Sequence, residues 1–149
     1  MIRLCITIDA VSIENSKHGG DPVDIVYSNG VLKHITDLDH AVNLIQQVSH
    51  EETRQFHVVN FTDHVSQPDD PFREFSRFDP VEYFKDDSLV NLKRPSEIIE
   101  LFNEASIPVS MVHNITDLPS RSIKMAPYWS RFDASDLAIQ IAFFIDQDA

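Results

Sequence analysis

The chain has 149 residues, one cysteine, and 24 acids against 12 lysines and arginines, for a net charge of −12. That length suits one self-sufficient domain, and a single cysteine, Cys5, rules out an internal disulfide framework and points to a reducing compartment. The acidic balance argues against direct nucleic-acid binding and against anionic membranes, and its complement is a protein partner with a basic surface.

Residues 2–8 alternate Ile2, Leu4, Ile6 and Ile8 with polar neighbours, the pattern of a half-buried β-strand. No sustained apolar h-region follows Met1, so no signal peptide is expected and the setting is read as cytoplasmic. Asp24 to Ile35 forms two short β-rich runs about Asn29-Gly30, which predicts a hairpin over 24–35. Thr36-Asp37-Leu38-Asp39 then caps an amphipathic helix over about 38–49, with Ala41, Val42, Leu44, Ile45 and Val48 on its apolar side.

A strand is expected at 56–61. Between Gln67 and Asp87 the composition shifts to proline, aromatics and acid, with a short helix near 80–86 started by Asp79-Pro80-Val81-Glu82. Phe72, Phe75 and Phe78 recur at a spacing of three and are read as packing on the core in preference to forming a partner-binding face. Pro95-Ser96-Glu97 opens a helix to about 105, and a strand follows at 107–113.

The most apolar stretch is Leu137 to Ile145, broken only by Gln140. Nine residues are too few to span a bilayer, which needs about 20, so the run belongs to a core. A run apolar on all sides fits a buried helix or a central strand equally well. Asp133-Ala134-Ser135-Asp136 supplies helix-start side chains, so helix is expected over about 134–146, against three isoleucines that favour strand. The sum is an α/β or α+β single domain over 1–149, with a mixed sheet of about five strands and three or four flanking helices.

Three segments read alike: His34-Ile35-Thr36-Asp37, Asn60-Phe61-Thr62-Asp63 and Asn114-Ile115-Thr116-Asp117. Each falls at a strand end, where Thr and Asp cap or turn the backbone, and that plain cause is preferred. If strands 56–61 and 107–113 were parallel neighbours, Asp63, His64, His113 and Asp117 would converge at their carboxyl ends and could hold a divalent metal that activates water. No compact ligand motif supports this, and neither G-x-G-x-x-G nor a Walker sequence occurs.

The reading preferred from the residues is an interaction protein, with catalysis less favoured. Acids cluster at Asp69, Asp70, Glu74, Asp79, Glu82, Asp86 and Asp87, and again at Asp133 and Asp136. A surface of that kind can occupy a basic, nucleic-acid-binding groove as an inhibitor or immunity protein does, with no cofactor. The alternative is the metal-dependent hydrolase.

Overall fold

The computed structural model describes residues 22–62, 79–83, 90–116 and 125–147. Strand 2–8 and the Phe72, Phe75, Phe78 series lie outside them. The described residues form an α/β fold around a four-stranded mixed sheet, one strand fewer than expected. Its strands are β1 (Ile25–Asn29), β2 (Arg54–Asn60), β3 (Val109–Thr116) and β4 (Ile139–Asp146), in spatial order β1-β2-β4-β3. Four helices accompany them: α1 (Leu38–Val48), α2 (Pro80–Tyr83), α3 (Pro95–Glu104) and α4 (Ala134–Leu137).

Helix α1 forms where its pattern places it. The Asp37 carboxylate accepts the His40 N–H at 3.0 Å, and Leu38, Ala41, Val42, Leu44, Ile45 and Val48 all bury. Helix α3 starts at Pro95, with Glu97 accepting the Arg94 N–H at 2.9 Å, and buries Ile98 and Phe102. Both share one apolar cluster with Val26, Val59, Val109, Ala142 and Phe144 of the sheet.

The expected hairpin is corrected. Gly30 does take the positive φ of a turn, +69°, but the chain then enters a 3₁₀ turn, Leu32–His34, in place of a returning strand. Leu32 and Ile35 are fully buried there, and β1 pairs instead with β2, in parallel, across helix α1. An Asn-Gly pair specifies the bend and not what the chain does afterwards.

The expected helix over 134–146 is corrected too. The capping residues serve a single turn, α4, and the apolar run is strand β4, antiparallel to both β2 and β3. Because β4 lies between them, β2 and β3 are not neighbours, and the parallel unit expected over 56–113 is replaced by β1-α1-β2. Central β4 buries Ala142 and Phe144 towards the helices and half-buries the apolar Ile141, Phe143 and Ile145 on the other face, so its sequence shows no alternation.

On the helix-facing side of the sheet lies a buried polar chain. Ser28 Oγ is 2.8 Å from His57 Nδ1, His57 Nε2 is 3.2 Å from Gln55 Oε1, Gln55 Nε2 donates to Ser49 Oγ at 3.1 Å, and Ser49 Oγ donates to Ile45 C=O at 2.7 Å. An amide oxygen can only accept, so the tautomer is assigned with Nε2–H donating and Nδ1 accepting from Ser28. The ring is 1% exposed and sits against Phe102, and burial lowers its pKa from 6.5 to about 4. A histidine whose folded pKa is depressed contributes stability above its unfolded value and loses it as the pH falls towards the folded one. Between pH 6.5 and about pH 4, His57 is therefore expected to cost the fold about 3 kcal/mol. Urea unfolding of the parent and of His57→Gln at pH 7 and pH 4.5 checks this: the variant is less stable at pH 7 and falls less on acidification, and an equal fall in both would refute the assignment.

Candidate functional site

In open α/β sheets ligands sit at the carboxyl ends of parallel strands. Here those ends are Asn29-Gly30 after β1 and Asn60-Phe61-Thr62 after β2, brought side by side by the β1–β2 register. A small cleft of about 10 Å³ opens at the second of these ends, lined among others by Lys33, Asn60, Thr62, Asn91, Leu92 and Arg94.

Each wall has a local cause. Asn60 Oδ1 accepts both the Thr62 N–H at 2.8 Å and the Thr62 hydroxyl at 2.7 Å, an Asx-type turn that ends β2. Asn91 Nδ2 donates to the Leu32 and Ile35 carbonyls at 2.7 and 2.9 Å, holding the 3₁₀ turn against the segment before α3. Leu92 takes φ +59°, a left-handed conformation that costs a branched side chain about 1 kcal/mol or more. The Lys33 ammonium, 6% exposed, donates to the Thr62 carbonyl at 3.2 Å.

Arg94 closes the cleft from below. Its guanidinium is 1% exposed and fans out over backbone carbonyls: Nη2 reaches Asp136 at 2.7 Å, Ile139 at 2.9 Å and Leu137 at 3.3 Å, and Nη1 reaches Phe61 at 3.4 Å. Burial lowers its pKa to about 10, against the opposing pull of the Asp136 and Glu97 carboxylates, so it is charged at neutral pH. Arg94 thus ties the end of β2, the last turn of α4, the start of β4 and the start of α3.

A larger cleft, about 600 Å³, lies at the opposite end, around His50, Glu52, Arg54, Ser106, Asp146 and Gln147. There Asp146 accepts Arg54 Nη1 at 2.6 Å and the Gln55 N–H at 2.9 Å. Burial raises the Asp146 carboxyl, but those two partners more than offset it and hold the pKa below the usual range. Volume favours this cleft; strand polarity favours the smaller one, and polarity is the stronger guide in this fold.

Of the four residues expected to converge on a metal, only His113 is described; Asp63, His64 and Asp117 lie outside. His113 is exposed on β3, its ring 5.5 Å from Phe143 of β4, which separates β3 from β2. Among the described residues no group of three or more His, Cys, Asp or Glu could hold a metal ion. Of the acids, Asp69, Asp70, Glu74, Asp86 and Asp87 lie outside the described residues. Asp79 caps α2 through the Val81 N–H at 3.1 Å, and Glu82 and Asp133 are exposed. Asp136 accepts from the Ser96 N–H and hydroxyl at 3.1 and 3.0 Å, which joins α4 to α3. Trp129 is fully buried and packs with Leu137. Lys33 and Asn91 carry no sequence signal, whereas Asn60 opens one of the three like strand-end segments and Arg94 stands at the cap position of a well-marked helix start.

The chain matches no protein-family model and no curated protein. Its fold is shared with solved structures. One is a candidate methyltransferase from Bacillus halodurans, with TM-score 0.54 and 15% identity over 93% of this chain and 69% of that one. Another is the YcgJ protein of Bacillus subtilis, with TM-score 0.51 and 14% identity over 89% and 64%. A third is a candidate S-adenosylmethionine-dependent methyltransferase from Listeria monocytogenes, with TM-score 0.50 and 11% identity over 90% and 65%. The chain thus spans about two thirds of the length of these proteins.

The expected function is corrected by this likeness. The fold belongs with structures described as methyltransferases, and neither the inhibitor or immunity-type binder nor the metal-dependent hydrolase stands. The inhibitor reading and the acidic protein–protein interaction attached to it go too, as does the expectation of no cofactor or a divalent metal. Net charge and strand-end His and Asp residues are compatible with many chemistries, which is why they misled. No helix among the described residues is long and apolar enough to cross a membrane.

The Arg94 fan carries its own prediction. Arg94→Leu strands several buried carbonyls and is expected to destabilise the fold by roughly 3 kcal/mol. Arg94→Lys restores the charge but not the planar fan, so it rescues only part. Chemical denaturation of both variants checks the order; a fully stable Arg94→Leu would contradict it.

Proposed function

We propose that the chain acts in methyl-group transfer from S-adenosylmethionine, contributing the β1 and β2 carboxyl-end wall of a methyltransferase-type α/β domain. The observation that carries this reading is the fold likeness over 93% of the chain, together with a mixed sheet whose two parallel strands end in polar turns. S-adenosylmethionine supplies an electrophilic methyl group on a sulfonium.

The described residues do not enclose a group of that size. The cleft has room for about 10 Å³, roughly one water, and Gly30 is the only glycine described. They fit one side of such a site. Nothing lies within 4 Å of the place a Cβ would take on Gly30, so a ligand can approach the backbone there. Asn60 and Thr62 set the second strand end, and Lys33, in the turn after β1, and Arg94 hold that end by bonding the Thr62 and Phe61 carbonyls. A protein partner is compatible with this reading, whereas the basic groove rested on the inhibitor function that the fold overturns.

The full chain is expected to bind S-adenosylmethionine in equilibrium dialysis and to slow hydrogen exchange at residues 30–33 and 60–62 on binding. Asn60→Ala, which removes the turn contacts to Thr62, is expected to weaken binding by about 1 kcal/mol, or roughly fivefold. No binding at millimolar cofactor, or protection confined to the cleft around His50 and Asp146, would overturn the proposal.

A further inference from the structure

Asn29 is the only asparagine in the chain followed by glycine. That pair is chemically vulnerable. The glycine backbone nitrogen, on losing its proton, can attack the asparagine carboxamide carbon and expel ammonia, closing a five-membered succinimide. Water then opens the ring at either carbonyl, to give aspartate or isoaspartate. No enzyme, oxidant or cofactor is required, and a glycine on the attacking side presents no Cβ to obstruct ring closure.

The fold both exposes and guards this pair. The Asn29 side chain is exposed at the end of β1, where water reaches its carboxamide. The attacking nitrogen is engaged: the Gly30 N–H donates to the Val58 carbonyl at 2.8 Å, the last rung of the parallel β1–β2 pairing. While that bond stands, the nitrogen is held towards β2 and keeps its proton. The rung is terminal, on a strand of only five residues, and terminal rungs open at far lower cost than the whole fold.

We propose that Asn29 is a site of spontaneous deamidation whose rate is set by opening of the Gly30–Val58 rung. Either product adds one negative charge at the carboxyl end of β1. Isoaspartate also inserts a methylene into the backbone directly before Gly30, where the +69° turn leads into the 3₁₀ turn that walls the cleft. The modification therefore strikes the rung and the turn together. This inference rests on the strand pairing and stands whether or not the chain transfers methyl groups.

The test ages the full chain at mildly alkaline pH, native and in urea, and locates the amide-to-acid conversion by peptide mapping, with exchange of the Gly30 amide measured in parallel. Asn29 is expected to be the dominant site in urea, and native protein to react more slowly by the same factor that protects the Gly30 amide. Val26→Ala, which removes a 3% exposed side chain of β1, is expected to raise the native rate and the Gly30 exchange rate in proportion and to leave the rate in urea unchanged. Equal rates in native and unfolded chains, faster reaction at another asparagine in urea, or native deamidation indifferent to Val26→Ala while exchange rises would each overturn it.

Discussion

One buried guanidinium holds four chain segments in place. Arg94 lies over the Phe61 ring at 5.0 Å and bonds a set of backbone oxygens. The carbonyls at the end of β2, the end of α4 and the start of β4 lose water when these segments meet, and each would be costly without a donor. A planar cation with five N–H groups answers several at once, which a hydroxyl or an ammonium could not do from one position. The residual charge is offset at a distance by Asp136 and Glu97, which also link α4 to α3 through Ser96 and cap α3. The crossing of chain segments beneath the cleft is therefore an electrostatic solution to a backbone hydrogen-bonding problem.

A second polar arrangement, the chain from Ser28 to Ile45, works differently. It is neutral along its length and ties β1 and β2 to the end of α1 in one direction of donation, so each member has a partner. Between them, the two arrangements fix the sheet ends against the helices at either side of an apolar cluster that has no directionality of its own.

Much of this architecture is visible in the sequence, for reasons that differ by element. Helices α1 and α3 are legible because a 3.6-residue apolar stripe and a start signal coincide, at Asp37 and at Pro95 with Glu97. Strands β2 and β3 are found within a few residues, though not their neighbours, since pairing partners are distant in sequence. The Asp133 to Asp136 signal is a true helix start, but it marks one turn, and a strand apolar on both faces has no period to contradict a longer helix. The Thr-Asp echo has its plain cause at Asp37, which caps α1, while at 60–62 it is Asn60 that turns the backbone. The cleft was illegible: Lys33 and Arg94 act on carbonyls that any residue could supply, so no side-chain pattern announces them. Charge and histidine placement are compatible with many chemistries, so neither specifies the function.

The position of β4 also bears on how the chain acquires its shape. It comes last among the described strands, yet both β2 and β3 depend on it for their ladders. Its register with β2 joins Phe56 to Ile145, a closure across nearly the whole described chain, whereas β1, α1 and β2 can assemble from nearby residues. During synthesis the β1-α1-β2 unit is available early, while β3 emerges before β4, its partner among the described strands. High contact order of this kind slows folding and leaves an apolar strand edge open in the interval, so the central strand is also the one whose late arrival most exposes the nascent chain to mispairing.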